Sequence, residues 1–172
     1  MSENAQTAIL FVCLGNICRS PLAEGVFRAV AAERKLGHRF LLGSAGTGGW
    51  HAGEPPDPRS IAVAARHGID IAAQRAREVM PADFARFDLV LGMDGATVNI
   101  LKAQAPDGAR ARTAQFLEFA GLGRSDVPDP YYGGLEGFDT VYRMIREASE
   151  ALLAKLCARA DSAPSGQASS TI

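Results

Sequence analysis

The sequence is short of the residues and runs on which several protein classes depend. It has three cysteines, an odd number in a chain with no export signal, which argues against a disulfide framework and for free thiols. Its three histidines, His38, His51 and His67, stand 13 and 16 positions apart, a spacing that matches no local ligand pattern. Neither a metal nor a cofactor is therefore expected. Charge of either sign is not in excess: 18 Lys and Arg against 19 Asp and Glu leave a formal net charge of −1. That balance gives no bulk attraction for nucleic acid or a membrane surface, and no partner of either kind is expected. The N-terminal "MSENAQTA" is polar and acidic, and the apolar run after it is far too short for a signal segment or a membrane span. A cytoplasmic protein is the expectation. No internal repeat is visible.

What is present suits one soluble domain. The 172 residues are 47% hydrophobic and 22% charged, enough to bury a sizeable core. "AILFV" (8–12) reads as a buried strand of a parallel sheet. Ser20-Pro21 follows as N-cap and first helical position, with Gly37 as the stop. "RFLLGSAG" is a second strand running into a glycine-rich turn, and Asp57-Pro58 repeats the cap-and-proline device for a helix ending near His67-Gly68. "FDLVLGM" (87–93) is a third strand, followed by a helical stretch towards Lys102, and "TAQFL" (113–117) a fourth strand. Residues 120–138 read as a long loop, and a last helix from Asp139 to about Arg159 carries Val141, Ile145, Ala148, Leu152 and Leu156 on one face. Strands alternating with helices predict a three-layer α/β domain over residues 1–160 with a mostly parallel sheet. The tail, 161–172, has little to bury and is expected to be disordered.

The chemistry concentrates after the first strand. In open α/β sheets ligands bind beyond the carboxyl ends of the strands, where "CLGNICRSP" (13–21) lies. A tight loop of backbone N–H groups, a helix N-terminus and the Arg19 guanidinium together make a site for phosphate. Gly15 and Asn16 are the residues expected to supply left-handed conformations. A thiol among such partial positive charges ionises readily, so Cys13 is expected as a thiolate aimed at phosphorus, with the Ser20 hydroxyl donating to it. A bare Cys-x5-Arg spacing also arises by chance from a buried strand-end cysteine and a surface arginine; the fuller string is what raises it above that. "VPDPYYGG" (127–134) fixes Asp129 between two prolines before two tyrosines. Alone it is an ordinary Asp-Pro turn; beside a phosphate loop it supplies the acid that a leaving ester oxygen needs.

Taken together, "CLGNICRSP", "SAGTGGWHAGEPPDPR" and "DPYYGG" resemble the low-molecular-weight protein tyrosine phosphatase family over roughly residues 8 to 160. The resemblance implies a Rossmann-like, four-stranded parallel sheet flanked by helices. It also implies metal-free hydrolysis of tyrosine-phosphorylated proteins and small aryl phosphates through a cysteinyl-phosphate. By it Cys13 is the nucleophile, Arg19 grips the phosphoryl oxygens, and Asp129 acts as acid and then base. Leu14, Gly15, Asn16, Ile17, Cys18 and Ser20 form the loop that holds the phosphoryl group, inorganic phosphate or a similar oxyanion. Asn16 and Ser44 brace it; Trp50, Tyr131 and Tyr132 line the cleft, with core packing as the plain alternative for Trp50. His51 and His67 are read as structural. "MDGATVNI" (93–100) departs from the family's shorter turn, so Asp94 and Asn99 receive no role.

Two relatives share the fold. Thioredoxin-coupled arsenate reductase needs a relay of thiols, for which Cys157 on the last helix is poorly placed. Protein arginine phosphatases resemble this loop with threonine where it has Ile17. A non-catalytic phosphate-binding module would not need Asp129. Cys18, in the same loop as Cys13, is either a packing residue or a thiol that traps oxidised Cys13 as a reversible disulfide.

Overall fold

The computed structural model describes residues 5–162. Its frame is a four-stranded, all-parallel sheet in the order β2-β1-β3-β4, formed by β1 (Thr7–Cys13), β2 (Phe40–Gly46), β3 (Leu89–Gly92) and β4 (Arg112–Gln115). The uninterrupted apolar run of β1 follows from its central place, where both faces are covered. Ile9, Phe11 and Cys13 point into one core with α1 (Arg19–Glu33), α2 (Pro58–Arg66) and α6 (Leu135–Ser162). Ala8, Leu10 and Val12 point into the other, with the short α3 (Asp83–Arg86) and with α4 (Gly95–Gln104). The larger core is keyed by Phe11, whose ring packs edge-on to Phe116 at 5.3 Å and lies 5.9 Å from Phe27. Truncating such a ring typically costs about 3–5 kcal/mol. The expected three-layer parallel α/β fold is the observed one.

Its boundaries differ from the sequence expectation in instructive places. Cys18, not Ser20, precedes the first residue of α1, and Ser20 lies within the first turn. The loop is anchored one residue earlier, where the Asp57 N–H donates to the Ile17 carbonyl at 2.8 Å and the Ser60 hydroxyl to that of Cys18 at 3.0 Å. Nor is Gly37 the stop: Lys35 takes the left-handed turn at φ +58°, and the Leu36 N–H returns to the Ala31 carbonyl at 2.8 Å. Asp57-Pro58 behaves as expected, with the Asp57 carboxylate accepting from the Arg59 N–H at 2.8 Å.

The fourth strand ends at Gln115, and Phe116–Phe119 turns instead into α5, a single helical turn that buries Phe116, Leu117 and Phe119. The last helix starts at Leu135 rather than Asp139; its first turn is exposed at Leu135 and Glu136, and only Phe138, buried in the core, continues the apolar face. It runs to Ser162, so residues 161 and 162 close a helix; the rest of the expected tail, 163–172, lies outside the described residues. No described helix is long and apolar enough to cross a membrane.

Candidate active site

The order β2-β1-β3-β4 makes the chain reverse direction between β1 and β3, and their carboxyl ends flank the crevice where doubly wound sheets bind ligands. Cys13 closes β1 there, and Met93 and Asp94 follow β3. Between β1 and α1 the backbone curls through residues 14–18, with Asn16 at φ +58°. Gly15 does not share that conformation, contrary to expectation. It is glycine for closeness, since a Cβ there would lie 3.1 Å from the His51 ring. Gly46 is similarly forced: a Cβ would meet the Leu14 carbonyl at 2.8 Å and the Asn16 nitrogen at 3.1 Å.

The loop's carbonyls are drawn outward. Those of Cys13 and Leu14 accept from the Thr47 and Gly48 N–H groups at 3.0 and 2.9 Å, and those of Ile17 and Cys18 from Asp57 and Ser60. The amide hydrogens of residues 14–18 find no acceptor among the described residues. Five donors left unpaired in a largely buried loop demand a partner, and an oxyanion is the ligand that meets them all.

Side chains fix this cup from below. The Asn16 amide donates to Ser20 Oγ at 2.7 Å and to Ser44 Oγ at 3.0 Å, while its Oδ1 accepts from the Arg77 N–H at 3.0 Å. Ser44 in turn faces Gln74 Oε1 at 3.3 Å, and Gln74 donates to the Pro21 carbonyl at 3.0 Å. Because Ser20 Oγ already accepts from Asn16, its one hydrogen is left for Cys13 Sγ at 3.1 Å or the Ala45 carbonyl at 3.3 Å.

Arg19 stands beside the thiol, 2% exposed. Its Nη1 donates to Asp94 Oδ2 at 2.6 Å and to the Val127 carbonyl at 3.0 Å, and Nη2 lies 3.8 Å from Asp129 Oδ2. Burial opposes its charge, yet Cys13, Asp94 and Asp129 carry its pKa above the ordinary value. Burial likewise opposes ionisation of Asp94, but the bonds from Arg19 and Thr97 hold its carboxyl below the ordinary value. Asp94, given no role from the sequence, thus pins the guanidinium and also caps α4 through the Thr97 N–H at 2.7 Å. Its one visible signal was the cap itself, an acidic residue immediately before a helical pattern.

Asp129 lies at the mouth, with Oδ1 accepting from the Tyr131 N–H at 3.1 Å. A second unforeseen residue holds this segment. Arg59 bonds the Tyr131 and Gly133 carbonyls at 3.0 and 3.3 Å, pairs with Asp57 at 2.9 Å, and lies over the Tyr131 and Phe138 rings. Cys13, Arg19, Asp129, Trp50, Tyr131 and Tyr132 thereby surround one cavity of about 320 Å³, to which Leu14, Gly15, Ile17 and Cys18 also contribute. Trp50 is 72% exposed and Tyr132 92%, so both are rim rather than core. Cys18 is buried, and burial first, then the nearby Asp57, Cys13 and Asp129, push its thiol up to about 12. Asn99 lies away from this cavity.

Fold and cup together define a class, the hydrolases of phosphoric monoesters. The family model described as low molecular weight phosphotyrosine protein phosphatase matches residues 8–162. Similarity extends to a low molecular weight protein-tyrosine-phosphatase of Streptomyces coelicolor, 47% identical over 150 residues that cover 85% of this chain and 91% of the other. Among solved structures, a protein tyrosine phosphatase from Entamoeba histolytica with Hepes in its active site superposes with a TM-score of 0.83 at 35% identity, covering 89% of this chain and 98% of that one. YfkJ from Bacillus subtilis gives a TM-score of 0.83 at 36% identity, with 91% and 98% covered. The chain belongs to the low molecular weight phosphotyrosine protein phosphatase family.

Proposed function

We propose that this protein hydrolyses phosphotyrosine in proteins, and small aryl phosphates, in two metal-free steps. The unpaired amide hydrogens of residues 14–18 around Cys13 are the observation that carries the reading. They suit the three equatorial oxygens of a phosphoryl group, with the Arg19 guanidinium completing the ring of donors.

In the first step the Cys13 thiolate attacks phosphorus as the ester oxygen leaves, taking its proton from Asp129. In the second, Asp129 as carboxylate removes a proton from water, which displaces the thiolate and releases phosphate. Ser20 stabilises the thiolate as it departs, since its remaining hydrogen has Cys13 Sγ within reach. Asp129 lies on the rim and Cys13 at the floor, so an aryl ester spans the cavity with its ring among Leu14, Ile17, Trp50 and Tyr131.

The deciding experiment compares wild type with Cys13→Ser on an aryl phosphate in excess chelator. Turnover is expected in the wild type and none in the variant, with phosphate still binding both. An active variant, or a wild type silenced by chelator, overturns the mechanism. A phosphoarginine peptide assayed alongside separates this reading from the arginine phosphatases.

A further inference from the structure

A second cavity, of about 560 Å³, lies between α4, β4, α5 and α6 and shares no lining residue with the catalytic cup. That volume is within the usual range for small-molecule sites, about 300–1,000 Å³. Its walls bear four cations, Lys102, Arg112, Arg124 and Lys155, against one carboxylate, Glu118, among the described residues that line it. Glu118 is already engaged, 3.6 Å from Arg124. Lys102 and Arg112 have no ion pair among the described residues, in a chain whose net charge is −1.

Two of these cations, joined by Arg159 from outside the lining, converge on Phe119. Lys155 Nζ lies 4.0 Å from its ring centre and donates to its carbonyl, and the Arg112 and Arg159 guanidinium carbons lie 5.1 and 5.5 Å from the ring. Like charges held this close repel one another; burial first, then Arg159 and Arg112, hold the Lys155 ammonium below its ordinary value. An aromatic face offsets part of that repulsion, but a multiply charged anion would offset far more.

We propose that this cavity binds a compact polyphosphate anion, free or borne on an organic group, at a site separate from the catalytic cup. One orthophosphate would leave most of the cation cluster unmatched, whereas a chain of phosphates reaches several of its members at once. Lys102, Arg112 and Lys155 sit on α4, β4 and α6 and Arg124 on the loop after α5, so most of the positive charge is placed by regular elements of the fold.

Titration calorimetry with tripolyphosphate, in metal-free buffer at fixed ionic strength, tests this. Wild type is compared with Lys102→Gln/Arg112→Gln and, as a control, Arg34→Gln/Arg39→Gln, two exposed positions by the opposite edge strand. Affinity should fall at least tenfold in the first variant and stay within twofold in the control, with hydrolysis of p-nitrophenyl phosphate intact in both. Lys102→Gln alone, at an exposed helix position, should weaken binding in the same direction and serves if the double variant does not fold. ATP as a second probe tells the sources apart: tighter binding than tripolyphosphate means a nucleoside-borne chain, equal or weaker binding a free one. Unchanged affinity in the cavity variants, or an equal loss in the control, overturns the proposal.

Discussion

Replacing Asp94 by asparagine separates what holds Arg19 from what merely surrounds it. The carboxylate accepts twice, through Oδ1 from the Thr97 N–H and through Oδ2 from Arg19 Nη1 at 2.6 Å. Asparagine has one oxygen for these two donors, so either the cap or the clamp is lost and an N–H is turned against a donor. With Arg19 2% exposed, water cannot readily take the vacated position. A hydrogen bond to a charged group contributes about 1.5–3 kcal/mol. At about 2–4 °C per kcal/mol for a chain of this size, Tm should drop by about 3–12 °C. Activity should fall too, since the guanidinium keeps only the Val127 carbonyl as a fixed anchor, and misplacing such a group costs about 10–100-fold in kcat/KM.

The effect on stability carries a pH signature. Asp94 titrates below its ordinary value in the folded chain, so the pair stabilises fully above the unfolded carboxyl pKa of about 3.9 and is lost as pH falls through the lowered folded value. Urea unfolding at pH 6 and at pH 3 should therefore show a wild-type advantage that narrows in acid. A variant with Tm within about a degree of wild type and kcat/KM within twofold would refute the reasoning.

The other expectations follow from the same geometry. Arg19→Lys preserves charge but not the planar fork that serves Asp94 on one nitrogen and substrate on another, so most activity should go; half the wild-type kcat/KM would withdraw the bidentate role. Asp129→Ala should slow phosphotyrosine hydrolysis by about 10²–10⁴-fold and p-nitrophenyl phosphate hydrolysis less, because the better leaving group needs less protonation; equal losses would count against a proton donor. Arg59→Ala should lower kcat on phosphotyrosine by loosening the Asp129 segment, and should add little to Asp129→Ala in the double variant; additive losses would mean that Arg59 acts elsewhere. Mild peroxide should convert Cys13 to its sulfenic acid, which condenses with the Cys18 thiol to a disulfide and water, and dithiothreitol should restore activity. In Cys18→Ser the same dose should do damage that reductant leaves unrepaired; full recovery would remove Cys18 from that role.

The parts of the site that sequence reveals are those encoded within a few residues of one another. Cys13 and Arg19 stand out because strand, loop and helix follow one another there, and Asp129 because two prolines flank it. Asp94, Arg59 and Gln74 act across contacts far apart in the chain, 75 residues from Arg19 to Asp94 and 72 from Arg59 to Tyr131. Nothing in their immediate neighbours announces such pairings. Ser20 shows the converse failure. Serine before proline is a sound cap signal, but tertiary anchoring of the loop starts the helix earlier and frees the hydroxyl to face Cys13. Phe116–Phe119 is apolar enough for strand or helix, and only the place it must fill beneath Phe11 decides between them.

Floor and rim of the cup answer to different constraints. At the floor, the Asn16 side chain commits both amide hydrogens and its oxygen to fixed partners, so a change there propagates through Ser20 to Cys13 and through Ser44 to Gln74. At the rim, Trp50 and Tyr132 stand largely in solvent, Tyr132 packing edge-on against Tyr131, and among the described residues neither makes a side-chain hydrogen bond into the floor. A substitution among them is expected to alter which phosphorylated surface fits while leaving Cys13 and Arg19 in place. On the function proposed above, the rim aromatics can thus be exchanged to suit another phosphorylated partner, whereas the phosphate-holding loop tolerates little change.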